Sequence, residues 1–555
     1  MTRVKENDEK PSYSSAKAPI ARTETEDGGR ESNSEGVRRQ TQYIRGWRLH
    51  TISFSLLLSL FIVQLEWCIT STAVLSITDD LGGYEQSSWI FTAYLLTFCG
   101  LQIIWAKISD IAGRKIVLVA SLSIFVIFSG ACGAAQSMTQ LVMFRWVQGM
   151  GGCGVFSLVQ ITFFELVPAP KWPLYMGLVT GVIAFALIVG PLLGGAITRN
   201  GSWRWIFLMN VPAGVIAVSA LLWMFPKTLW NEPAATRCLT SLSGALRRLD
   251  FVGSLLLLGS CVLLSTGLQK AALGHEWGSS LIMSLLILSA PFIAGFFLWS
   301  WYVTTRRTLP EPVFPWRFCQ SRIRLGMMVN TYLVGNVMSV CLVQIPQRYI
   351  TVNGLSSFNA AIRLLAFGAF IPLGSIFAAA LIGRLRVPPC FIILLGAVMQ
   401  IVGTLLLSRV STSYRLERAP LGYQVLLGTG IGLATAAMVL LVPYVMEQKD
   451  LAVGTAAVTQ FRFLGGLIGI AIATSISTPY MRSHLASIVG EQTADSMLER
   501  METIDMLSGE VANEARAVVG RGYNLQIRLL VGFAVAQVPV TGLMWTNVKA
   551  NPEVK

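Results

Sequence analysis

The sequence predicts an all-α membrane protein with about fourteen transmembrane helices, and three observations carry that prediction. Only 13% of the 555 residues are charged and the mean hydropathy is +0.60, whereas roughly a quarter of a water-soluble domain is charged. Apolar runs long enough to cross a hydrocarbon core of about 30 Å recur from residue 52 to residue 546. Cations gather in the short connectors between those runs, which is the positive-inside pattern. That placement also argues against a nucleic-acid partner, the first thought that a formal charge of +14 prompts.

In chain order, residues 1–48 are rich in Ser, Thr, Glu, Lys and Arg and poor in aliphatic side chains. Such a segment cannot bury enough apolar surface to order itself, so a disordered cytoplasmic tail is expected. Spans are expected at 52–78, 87–107, 115–135, 139–165, 173–198, 204–225, 250–269, 280–303, 325–350, 360–382, 389–408, 421–445, 452–478 and 524–546. No cleavable signal precedes them, so the first span acts as the targeting signal. The reading in domains is a first six-helix half at 49–226, a cytoplasmic linker at 227–249 and two inserted helices at 250–303. A second six-helix half follows at 304–546, with a long, partly helical outer loop at 479–523, and then a cytoplasmic tail at 547–555.

Orientation follows from the connectors. Lys107, Arg114 and Lys115 follow the second span, Lys171 the fourth, Lys227, Arg237, Arg247 and Arg248 the sixth. Arg306, Arg307, Arg317, Arg322 and Arg324 follow the eighth, and Arg384 and Arg386 the tenth. These exits face the cytoplasm and both termini lie inside; Arg409, Arg415 and Arg418 run against the trend. The nine cysteines form no CxxC pair and sit mostly in apolar runs, where they act as small hydrophobes. No metal or cofactor is expected.

A faint internal repeat supports the two halves. Arg145-Trp-Val-Gln-Gly149-Met-Gly151 is echoed by Gln424-Val-Leu-Leu-Gly428-Thr-Gly430, and at the same offset Gly190 falls on Gly469. Transporters are commonly built from such repeats, with the site at their interface. The second copy lacks the arginine, so the ionisable groups concentrate in the first half.

Glu66 is the only carboxylate deep in the first span. An ionised side chain at that depth costs roughly 2.5–3.5 kcal/mol, so it needs a partner, water or a proton. At about 1.5 Å per residue, Glu66 lies about 21 Å above the cytoplasmic edge, and Arg145 on the descending fourth span reaches a similar level. Gly190 and Pro191 land in the same outer half. On the fourth span Arg145, Gln148, Gly149 and Gly152 share one face, which therefore points at protein rather than lipid. GMGGCG there also satisfies GxGxxG, but a dinucleotide site needs a preceding strand, so the match is read as chance. Pro191, flanked by Gly190, Gly194 and Gly195, removes a helix hydrogen bond and makes a hinge. Asp110, Gly113, Arg114 and Lys115 form a charged turn that would gate the cytoplasmic side. Arg348, Arg363 and Arg462 are read as lying near span ends and snorkelling to the interface.

At these residues the chain resembles the major facilitator superfamily, in particular its fourteen-helix drug:proton antiporters. LEWCITSTAVLSITDDLG is similar to the family's LDxTIVxTALPxIxxDLG, with Glu66 at the aspartate and Cys68 and Leu75 replacing a threonine and a proline. AKISDIAGRK resembles GxLxDRxGRK, keeping Asp110, Gly113 and Arg114, with Ala106 and Ile111 as departures. RWVQGMGG matches RxxQGxGG, whose arginine is implicated in proton transfer, and GPLLGG matches the antiporter motif of the fifth helix. WRWIFLMNVPAG, IPQRYITVNGLSS and FRFLGGLIGIAI are further family-like stretches, and the long tail and outer loop resemble fungal toxin and metabolite pumps.

The resemblance implies a plasma-membrane, proton-coupled exporter of amphipathic or hydrophobic toxic compounds, with the vacuolar membrane as the alternative location. Glu66, Arg145 and Gln148 would couple protons, with the hinge and gating residues as above. Its partners would be a small-molecule substrate, protons and lipid, and it would act as a monomer. The alternative is a proton symporter importing siderophore-iron or a nutrient, against which Gly190-Pro191 argues. An enzyme is not expected, since no His/Cys/Asp cluster or nucleophile motif occurs among only three histidines.

Overall fold

In a computed structural model the described residues are 46–81, 87–224, 250–272, 277–306, 312–355, 357–447, 450–499 and 509–545. The expected tails and the 227–249 linker lie outside them, apart from the last residues of the first tail, which begin α1. The described residues form helices and no strand, and fourteen stretches are long and apolar enough to span a membrane.

The first half comprises α1 (Trp47–Leu81), α2 (Ser87–Ala112), α3 (Arg114–Gly133), α4 (Met138–Leu166), α5 (Trp172–Asn200), the short α6 (Arg204–Leu208) and α7 (Asn210–Met224). The inserted pair is α8 (Phe251–Ala272) and α9 (Ser280–Arg306). After a one-turn α10 (Arg317–Gln320), the second half comprises α11 (Arg322–Thr351), α12 (Ser357–Gly368), α13 (Phe370–Gly383), α14 (Pro389–Leu407), α15 (Ala419–Val445), α16 (Leu451–Val489), α17 (Glu491–Glu499) and α18 (Gly509–Leu543).

Packing repeats between the halves. In the first, α1 packs on α5 and α7, and α4 on α2 and α3; in the second, α11 packs on α16 and α18, and α15 on α13 and α14. The halves meet where α2 packs on α16 and where α5 packs on α12 and α13. The inserted α8 leans on α2 and α16, beside that seam. Asp250 secures it there: its carboxylate accepts from the Gly253 amide (2.7 Å), the Trp299 indole (2.7 Å) and the Val313 amide (3.0 Å), joining the start of α8 to the end of α9 and the approach to α10.

Local chemistry sets the breaks. Gly113 has φ +94°, a conformation that L side chains rarely adopt, and it alone separates α2 from α3. Ser137 caps α4 by accepting from the Gln140 amide at 3.3 Å. Prolines 291, 346, 443 and 479 sit inside α9, α11, α15 and α16, as membrane helices tolerate. Large apolar side chains such as Ile127, Ile216, Leu255, Leu298, Phe377 and Leu395 are exposed, as lipid contact requires.

One boundary differs from expectation. The connector at 479–523 is largely helical: α16 continues through Pro479 to Val489, α17 follows Gly490 (φ +85°), and α18 begins at Gly509 rather than at 524. Ala515, Val518, Val519 and Tyr523 pack with Met481, Leu485, Ala494 and Met497, forming a small core of their own. That face has helical spacing, but the polar face opposite dilutes the hydropathy of the stretch.

Candidate functional site

Glu66 on α1, Ser129 on α3, Arg145 and Gln148 on α4, and Asn210 at the start of α7 are buried together. Arg145 Nη1 donates to Glu66 Oε1 at 2.8 Å and to Gln148 Oε1 at 2.8 Å, while its Nε donates to the Ile90 carbonyl at 3.2 Å. The Asn210 amide donates to Glu66 Oε2 and, at 3.1 Å, to the Ser129 hydroxyl; Gln148 Nε2 donates to the same hydroxyl at 3.1 Å. The Arg145 guanidinium lies over the rings of Tyr94 (4.5 Å) and Phe207 (5.6 Å). Arg145 Nη2 and the Tyr94 hydroxyl have no hydrogen-bond partner among the described residues.

A fully buried ion pair is poor evidence for stability, because desolvation consumes most of what the charges gain from each other. Ionisable groups in a membrane interior are rare and usually mark a pathway or proton relay. The arrangement can hold a proton on Glu66 or release it, since Arg145, Asn210 and Thr70 all stand ready to bond the ionised carboxylate; the Thr70 hydroxyl lies 3.4 Å from Oε1.

The second half has a neutral counterpart. Gln424 stands on α15 where the repeat places Arg145 on α4, and its amide donates to the Tyr349 hydroxyl of α11 at 2.9 Å. The same α4-to-α1 contact is thus ionic in one half and neutral in the other.

The glycines of α4 are explained by packing. A Cβ on Gly149 would lie 2.5 Å from the Tyr94 carbonyl oxygen, and one on Gly151 would lie 2.5 Å from the Phe125 nitrogen. Gly428 and Gly430 of α15 meet the Phe367 and Gly396 carbonyls in the same way, at 2.5 and 2.7 Å. GMGGCG therefore lets α4 touch α2 and α3 through backbone.

In α5, which runs unbroken through position 191, the expected hinge residues differ in environment. A Cβ on Gly190 would lie 2.5 Å from Cys68 Cβ of α1, whereas one on Gly195 would meet nothing within 4 Å; Gly194 is buried. Gly469, the repeat-mate of Gly190, abuts Asn336 of α11.

At the expected gating loop, Arg114 pairs with Asp110 and with Glu165 at the end of α4 (3.0 Å), and Lys115 donates to the Leu222 carbonyl at 3.0 Å. These contacts bind the loop to its own half. At the same end Trp172 of α5 meets Tyr444 of α15 edge to face at 6.3 Å, bridging the halves. At the opposite end Asp80 accepts from the Trp203 indole (2.9 Å) and Arg204 (2.7 Å), and these hydrogen bonds hold its carboxyl below the usual range.

Arg348 donates to the carbonyls of Val410 and Ser411 at 3.2 and 2.8 Å, capping a loop. Arg462 departs from its reading as a residue near a span end: it sits well inside α16 with its guanidinium over Phe156 and Phe463. Asn210, Ser129, Tyr94 and Glu165 were not singled out from the sequence. Asn210 had a signal, an amide in the apolar run WRWIFLMNVPAG, but nothing in that run shows which charge it serves.

Residues 56–470 match the family profile described as the Major Facilitator Superfamily. The chain belongs to that superfamily. Among major facilitator proteins, the chain is 36% identical to the MFS-type transporter FPY5 of Fusarium mangiferae, over 91% of this chain and 85% of that protein. It is 28% identical to the rubrofusarin-specific efflux pump aurT of Gibberella zeae, over 92% of each. In fold it is similar to a bacterial homologue of the human lysosomal transporter Spinster, solved inward-facing, with TM-score 0.56 and 13% identity over 91% of this chain and 100% of that one.

Proposed function

We propose that the chain is a proton-coupled exporter, moving amphipathic or hydrophobic toxic compounds (a drug, fungicide, mycotoxin or secondary metabolite) out across the plasma membrane. The observation that carries the coupling is the buried Glu66–Arg145 pair, with Gln148 and Asn210 bonded to it and a neutral Gln424–Tyr349 pair at the matching place in the second half. The direction is supported by relatives named as efflux pumps and by Gly190-Pro191 in α5.

In this reading Glu66 takes a proton from outside, which loosens its hold on Arg145, and gives it up inside. Each proton moving inward down a potential supplies roughly 2.3 kcal/mol per 100 mV. Gly190, Pro191, Gly194 and Gly195 let α5 flex as the halves rock. Asp110, Gly113, Arg114 and Lys115 hold the cytoplasmic ends of α2, α3 and α4 as one body, with both termini on that side. Glu66→Gln keeps the shape but cannot ionise. It is expected to abolish uncoupler-sensitive export of a fluorescent substrate by cells while surface expression stays normal; undiminished export by that variant refutes the carrier role.

A further inference from the structure

A second polar centre lies between the halves, apart from Glu66. The Arg462 guanidinium stands over Phe156 of α4 at 5.7 Å and over Phe463 of its own helix at 5.1 Å. Phe463 meets Phe98 of α2 at 4.8 Å and Phe156 at 5.3 Å, and Phe98 meets Phe156 at 5.7 Å, each edge to face. The three rings form one cluster to which both halves contribute. One turn beyond Phe98 on the same side of α2 is Gln102, fully buried, with neither amide atom hydrogen-bonded among the described residues.

Arg145 is answered by Glu66, but Arg462 is answered by nothing comparable. Among the described residues it makes no hydrogen bond and faces no carboxylate. Its two aromatic neighbours supply a cation–π attraction. They leave the five N–H donors of the partly buried guanidinium without a protein acceptor among the described residues. A guanidinium is planar, weakly hydrated and matched in spacing to a carboxylate, so an anion held in two parallel bonds is the natural complement.

We propose that Arg462 receives the acidic group of the transported molecule, a carboxylate or enolate, while a planar aromatic body enters at the partly exposed Phe463, parts it from the buried Phe98 and Phe156, and brings a polar substituent to Gln102. The cargo is thereby narrowed to planar aromatic acids, an inference that rests on the exporter reading. A ligand so placed is held by rings from both halves and by the charge of the second, so its binding couples the halves directly.

The probes are 2-naphthoate and 2-naphthamide, which share a ring and differ in charge, measured by competition against radiolabelled 2-naphthoate on the full-length protein in lipid nanodiscs. The unaltered protein is expected to bind the acid at least about tenfold more tightly than the amide. Arg462→Gln is expected to lose that preference, and Arg462→Lys, which keeps the charge and loses the fork, to retain part of it. Absence of saturable naphthoate binding, equal affinity for acid and amide, or an undiminished preference in Arg462→Gln would each overturn the proposal. Should Arg462→Gln fold poorly, the acid–amide comparison on the unaltered protein and the lysine variant still decide. These results are independent of proton coupling. Normal export by Glu66→Gln alongside the expected naphthoate preference removes the coupling and keeps the anion site, and the converse result does the opposite.

Discussion

Arg145 and Glu66 show how much one side chain depends on another inside a membrane. Each alone would be a buried, unpaired charge; together they form a 2.8 Å pair fully shielded from solvent. Removing one partner of such a pair typically costs about 3–5 kcal/mol, while replacing both is often close to neutral. Arg145→Gln is therefore expected to lower the melting temperature of the detergent-solubilised protein more than the double variant Glu66→Gln/Arg145→Gln does. If the double variant is the less stable of the two, the pair is not stranding a charge when broken. Asn210→Ala takes a donor from both Glu66 and Ser129, and is expected to destabilise by about 1–3 kcal/mol in the same melt, the cost of leaving a buried polar group unmatched.

Helices here meet through glycine, and the glycines are not equivalent. Gly190 packs against Cys68 of α1, while a Cβ on Gly195 would meet nothing within 4 Å. Gly190→Ala is expected to force α1 and α5 apart, at about 1–3 kcal/mol, the usual range for overpacking. Gly195→Ala is expected to leave the melt unchanged or raise it slightly, since alanine is the better helix former. Equal losses in the two variants would show that flexibility, not fit, is what this stretch supplies. From the sequence, Gly190, Pro191, Gly194 and Gly195 read as one motif because spacing carries no information about the opposing helix.

At the scale of the molecule, α1 to α7 and α11 to α18 repeat one packing pattern, and the inserted α8 braces the seam between α2 and α16. At the other seam Trp172 of α5 touches Tyr444 of α15. If export proceeds by rocking of the halves, joining Trp172→Cys to Tyr444→Cys with a short bifunctional thiol reagent that carries a reducible bond is expected to stop transport, and reduction to restore it. Among the described residues the native cysteines other than Cys319 are buried, and Cys238 lies outside them, so the unaltered protein treated in the same way is the control. Transport unaffected by a formed cross-link would show that this end does not open.

The spans, their number and the pairing of Glu66 with Arg145 were legible in the sequence. Hydrophobic length is set by the bilayer, and depth follows from a fixed rise per residue. Comparison of the repeats placed the carboxylate–arginine pair in the first half, but not Arg462 inside α16 of the second. What only the tertiary structure decided was lateral: which faces of different helices meet. That is why Asn210 and Ser129 joined the Glu66 site unannounced, why Gln424 found Tyr349, and why the amphipathic start of α18 folded onto α16 and α17 instead of remaining a loop. Arg462 is the sharpest case. Along the chain it resembled an end-of-span arginine, and only the convergence of α4 and α16 set it against the rings of Phe156 and Phe463, with no carboxylate facing it among the described residues. One-dimensional position reports depth; the rotation and neighbours of a helix are fixed by packing, which no single apolar run encodes.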